Sequence, residues 1–124
     1  MRILLVDDEE IIHHTVGAFL RDFGHEVVSA KEGSEALTCL GEHDFDLIFS
    51  DIRMPVIGGL QLLETVQKRF PGTPIVLMTG YGDENTTETA LALGALACLN
   101  KPVGLRDFTT YIDRVAADQE KPEN

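Results

Sequence analysis

The sequence contains no tryptophan, only two cysteines and half as many bases as acids, and each shortage excludes something. Cys39 and Cys98 lie far apart with no CxxC spacing, so reduced thiols are expected rather than a disulfide framework or a cysteine metal site. Ten Lys and Arg against 21 Asp and Glu leave a formal net charge of -11. That balance argues against direct DNA or RNA binding, which depends on cations displacing phosphate counterions, and against an anionic membrane surface. Long apolar runs are missing too. The longest, "ALALGALACL" at Ala90 to Leu99, is far short of the ~18 residues needed to span a bilayer. The N-terminal aliphatic run meets acids at once, too short for the ~7–15-residue apolar region of a secretion signal, so a cytoplasmic location is expected. The histidines at 13, 14, 25 and 43 show no metal-ligand spacing, and solvated surface roles are expected for them.

What is present is an alternation. Short apolar runs at 2–6, 26–30, 46–50, 74–78 and 96–100 are each followed by a helical pattern. Ile12, Val16, Phe19, Leu20 and Phe23 form one helical stripe, and Gly24 stands where a C-cap belongs. A second helix is expected from about Ser34, as N-cap, to Leu40, with Gly41 as its stop. A third starts near Gly59 or Leu60 and ends at Pro71 and Gly72. The fourth begins after Asp83 and ends at Gly94; its run of threonines, "NTTET", predicts the least stable helix. The fifth spans about Leu105 to Ala117. Continuous apolar strands alternating with helices predict an α/β domain over 1–117, with a parallel sheet covered on both sides, and 118–124 reads as a frayed tail or the start of a linker.

In such a sheet, ligands bind beyond the carboxyl ends of the strands. Those ends carry Asp7 and Asp8 in "LLVDDEE", Asp51 in "FSDIRMP", Thr79 in "LMTGYG" and Lys101 in "LNKP". Three clustered carboxylates repel one another by about 4 kcal/mol per pair at ~4 Å and an effective dielectric near 20, so they call for a cation. Oxygen-only ligands open to water suit Mg²⁺. Lys101 and Thr79 supply a charge and a donor for a phosphoryl group, and one carboxylate can act as the nucleophile toward phosphorus. Asp7 and Asp8 alone are explained as well by the dipole of the following helix. Glu9 and Glu10 are assigned to that dipole and to solvent.

These segments, with "DLIFSDIRMP", "PIVLMTGYGD" and "GALACLNKP" in this order, resemble the receiver domains of two-component response regulators over about residues 2–117. The resemblance implies a flavodoxin-like, doubly wound five-stranded parallel sheet in the order 2-1-3-4-5 with five helices. It implies Asp51 as phosphoacceptor, supplied by a sensor histidine kinase. Asp8, Asp51 and the backbone carbonyl of Arg53 would hold Mg²⁺, with Asp7 acting through water. Lys101 would pair with the phosphoryl group or Asp51, Thr79 would move to meet the phosphoryl oxygen, and Pro102 would follow a cis peptide bond. Such a domain is a phosphorylation switch rather than a turnover enzyme. It would signal to an output domain or partner protein through the fourth helix, fifth strand and fifth helix, and homodimerisation on activation is compatible with it. "MTGYGD" is similar to receivers attached to transcriptional regulators.

Two positions depart from the family pattern. Cys98 stands where these domains most often carry a Tyr or Phe that turns inward with the threonine, so switching here is expected to use backbone movement after Thr79 or another ring such as Tyr81. Gly58 replaces a common acidic residue. Two other readings stay open on sequence alone: a degenerate, phosphorylation-independent interaction module, and a Mg²⁺-dependent aspartyl-phosphate phosphatase.

Overall fold

Each apolar run forms a strand and each periodic segment a helix. The computed structural model describes residues 1–54, 56–80 and 84–120, with Glu84 described by its backbone alone. The order is β1 (Arg2–Val6), α1 (Glu10–Asp22), β2 (Glu26–Ala30), α2 (Gly33–Glu42), β3 (Leu47–Asp51), α3 (Gly59–Arg69), β4 (Ile75–Thr79), α4 (Glu84–Ala92), β5 (Ala97–Asn100) and α5 (Leu105–Glu120). All pairings are parallel, in the order β2-β1-β3-β4-β5, as expected.

The alternation of side chains along each strand divides the core into two layers. Leu4, Val6, Ile48, Ile75 and Leu77 face α2, α3 and α4, where Leu40, Leu62, Leu63, Val66 and Ala90 meet them. Ile3, Leu5, Leu47, Phe49, Val76 and Met78 face α1 and α5, packing on Val16, Leu20, Phe108, Ile112 and Val115. Phe49 and Phe108 meet edge to face at 4.8 Å between centroids, joining the sheet centre to α5.

Several predicted boundaries shift. β3 and β4 lie one residue later than the runs at 46–50 and 74–78, and β5 starts one later. Asp46 is occupied outside the strand, its carboxylate accepting from the Arg2 N–H at 2.7 Å, while Pro74 has no N–H to give to the ladder. The shift makes Asp51 and Thr79 the last residues of their strands. Ser34 is not the N-cap of α2. Glu32 holds that position, its carbonyl accepting from Ala36 N–H, and the Ser34 hydroxyl donates to the Glu32 carboxylate at 2.6 Å. Gly41 does not stop the helix, which runs on to Glu42 because an ordinary helical φ strains no glycine.

α1 closes as expected at Gly24, with φ of 88°. His25 N–H returns to Leu20 C=O and Gly24 N–H to Arg21 C=O, a Schellman closure. α4 ends at Ala92, and Gly94, with φ of 104°, closes it in the same way through Ala95 to Ala90 and Gly94 to Leu91. α5 continues past Ala117 to Glu120, so the first part of the expected tail is helical; Gln119 ties it to Asp46 at 2.9 Å. No described helix is long and apolar enough to cross a membrane.

Candidate phosphoacceptor site

The parallel register brings the sequence-predicted acids and base to one edge. β1 and β3 end side by side, with Val6 opposite Ser50, and β3 and β4 end with Asp51 opposite Met78. Thr79 faces Asn100, and Lys101 N–H donates to Thr79 C=O at 2.8 Å, which fixes the exit of β5. The Lys101-Pro102 bond is cis, as the resemblance implied.

Lys101 is the hub. Its ammonium lies 2.9 Å from Asp7 Oδ2, 3.2 Å from Asp51 Oδ2 and 3.3 Å from Glu9 Oε1. Asp7 is fully buried, and its other oxygen accepts from the Glu9 N–H at 2.9 Å. Asp51 is buried as well, with Oδ1 accepting from the Arg53 N–H at 3.3 Å. Thr79 is buried at the end of β4, whereas Asp8 and the Arg53 side chain are exposed. Burial, aided by the negative charge of Asp7, raises the Asp51 pKa even though Lys101 pulls the other way. Burial alone would lower the Lys101 pKa, but Asp7 and Asp51 override it and hold the ammonium above its usual value.

Glycine at 59 makes this geometry possible. The Gly59 N–H donates to Ile52 C=O at 2.8 Å, and a Cβ at this position would collide with the Asp51 carbonyl and reach within 2.7 Å of Ile52 Cα. The α3 start can therefore pack directly under the end of β3. Gly58 is the N-cap of α3, with no side-chain cap bond.

Two participants were missed in the sequence. Glu9, assigned there to the helix dipole and solvent, is the N-cap residue of α1 and also reaches Lys101. Its signal was present, since it directly follows Asp8, but a contact across the chain to residue 101 leaves no local trace. His13 is half-buried rather than a solvated surface residue. Its Nε2–H donates to Asp7 C=O at 2.6 Å, and one helical turn separates it from the end of β1.

Asp7, Asp8, Glu9 and Asp51 each offer a carboxylate oxygen, and these four oxygens lie within 4.8 Å of one another. Mg²⁺–oxygen bonds of about 2.1 Å place opposite ligands about 4.2 Å apart, so the cluster fits a hard divalent cation after a small contraction. Beside it, Glu9, Ile12, Val16, Met78, Lys101, Pro102, Val103 and Phe108 line a mainly apolar cavity of about 370 Å³.

Residues 3–113 match the model of the response regulator receiver domain. The chain belongs to this family. Among similar proteins, the transcriptional regulatory protein GlrR of Escherichia coli K12 is 37% identical over 120 residues, covering 97% of this chain and 27% of that protein. The response regulator protein FleR of Pseudomonas aeruginosa is 34% identical over 118 residues, or 95% of this chain and 25% of its own length. The receiver domain thus spans about a quarter of these relatives. A CheY-like receiver domain protein of Methanospirillum hungatei superposes with a TM-score of 0.90 at 34% identity, covering 96% of this chain and 95% of that one. The beryllofluoride-activated NtrC4 receiver domain dimer gives 0.89 at 30% identity, with 94% and 97% covered.

The two family departures occupy different places in this receiver domain. Cys98 lies on β5 opposite Leu77, half-buried beside Thr87 of α4. Burial raises its thiol pKa. Both cysteines are free thiols, as the spacing suggested. Tyr81, the alternative ring, lies outside the described residues.

Proposed function

We propose that this receiver domain is a phosphorylation-activated switch in which Asp51 accepts a phosphoryl group from the phosphohistidine of a sensor histidine kinase. The observation that carries the reading is Lys101 bridging Asp7 and Asp51 within a cluster of carboxylates at the sheet's carboxyl edge. An Asp51 carboxylate oxygen attacks phosphorus, an acyl phosphate bond forms, and the P–N bond to the donor imidazole breaks. Asp8, Asp51 and the Arg53 carbonyl would hold Mg²⁺, with Asp7 assisting through water. When bound, the ion supplies charge neutralisation for the phosphoryl oxygens.

Lys101 offers its ammonium to the same oxygens. The Thr79 hydroxyl then binds the phosphoryl group, and the resulting shift biases the α4–β5–α5 face. With Cys98 there instead of a ring, the movement is carried by the backbone after Thr79. The domain is regulatory, with self-catalysed phosphoryl transfer and hydrolysis its only chemistry. Its target is an output domain or partner protein in the cytoplasm. The names of several relatives point to transcription, and the activated dimer among its structural neighbours points to homodimerisation. The complete set of acids, threonine and lysine argues against a degenerate module.

The test is intact mass after incubation with a small phosphodonor. Wild type with Mg²⁺ gains one phosphoryl group, while chelated protein and Asp51→Asn gain none. Modification of Asp51→Asn at an equal rate, or Mg²⁺-independent modification, would refute the assignment, and sustained donor turnover would favour a phosphatase.

A further inference from the structure

The Glu9–Lys101 contact extends the phosphoacceptor reading and rests on it. An ammonium has three donors, and Lys101 has three carboxylate neighbours, Asp7, Asp51 and Glu9. Its hydrogen-bonding capacity is filled before any phosphoryl group arrives. New anionic oxygens on Asp51 can be met only if one acceptor is released.

The three acceptors are unequal. Asp7 is fully buried and held from its other side by the Glu9 N–H, so releasing it would strand a buried charge. Asp51 carries the phosphoryl group itself. Glu9 makes the longest contact, 3.3 Å, and its side chain is 55% exposed, so water can solvate it as it leaves. We infer that Glu9 is a positioning residue that holds Lys101 in the unphosphorylated site and surrenders it to the phosphoryl group, competing for the ammonium throughout. It touches no reacting atom. Its effect is to disfavour the phosphorylated state by the strength of a partly exposed ion pair.

The test is an NMR titration with Mg²⁺ and then beryllofluoride, on wild type, Glu9→Gln and, as a control of equal charge change, Glu10→Gln. Glu10 pairs with Lys31 at 3.0 Å. Glu9→Gln should bind beryllofluoride about three- to fivefold more tightly, with a loss of Mg²⁺ affinity well short of about tenfold, and Glu10→Gln should match wild type. Unchanged beryllofluoride affinity in Glu9→Gln overturns the inference, as does an equal gain in Glu10→Gln, which would indicate general repulsion. A loss of Mg²⁺ affinity of about tenfold would make Glu9 a cation ligand and also overturn it. If wild type itself fails to bind beryllofluoride at Asp51, the phosphoacceptor reading is what fails.

Discussion

The carboxyl edge around β1 and β3 and the flank formed by α4 and β5 are held together in different ways. At the edge, β3 is buried along its whole length and Asp7, Asp51 and Thr79 are enclosed. Lys101, His13 and the Glu9 and Arg53 N–H groups pin the acids from several sides. On the flank, α4 gives the core one fully buried residue among those described, Ala90, and β5 has a single buried position, Ala97. Under the proposed switch, the chemistry sits where the backbone is over-determined, while the response would fall to the element with least packing to lose. Local opening should follow the same order, since free energies of opening track buried contacts.

Breaking each region should expose the difference. Phe49→Ala, which removes the ring packed on Phe108 beneath the site, should cost about 3–5 kcal/mol. Ala90→Gly in α4 should cost only about 1 kcal/mol. Urea unfolding of both variants checks the ratio, and equal losses would erase the distinction between the two regions.

A smaller effect sharpens the electrostatic side. Because burial and Asp7 outweigh Lys101 in raising the Asp51 pKa, its carboxylate destabilises the folded state. The folded protein binds the proton more tightly than the unfolded chain, so this group's contribution is fully present below the unfolded pKa, about 3.9. It is lost as pH rises through the folded value. Without Mg²⁺, Asp51→Asn should therefore be more stable than wild type at neutral pH, by on the order of 1 kcal/mol, a fraction of one close charge repulsion. The gain should fade as pH drops toward 4, and thermal melts across pH read it directly.

The smallest expected change lies in the β3–α3 loop. Val56 has φ of 65° and is 94% exposed, a left-handed conformation that costs a β-branched residue about 1 kcal/mol or more. Val56→Gly should recover only a few tenths of a kcal/mol in urea unfolding, because glycine's greater freedom in the unfolded chain offsets most of the relieved strain, while leaving Asp51 reactivity unchanged.

The sheet order was legible through the family resemblance, whereas the convergence of Asp7, Asp8, Asp51 and Lys101 was legible because strand ends in a parallel sheet follow directly from apolar runs and their acidic or basic termini. Gly24 was legible for the same local reason. Ser34 and Gly41 misled because residue type was read without φ, and the backbone there places Glu32 outside the helix and Gly41 inside it. Glu9 and His13 were hidden because one pairs with Lys101, distant in sequence, and the other with the Asp7 backbone carbonyl. Neither contact carries a periodicity that residue type reveals.

The most direct measurement is hydrogen exchange of wild type and Asp51→Asn, each with Mg²⁺, before and after beryllofluoride. The account predicts that wild type changes protection in α4 and β5 while the buried strands β1 and β3 hold theirs, and that Asp51→Asn shows no change. Protection changes spread evenly over the sheet, or an equal response in Asp51→Asn, would contradict it.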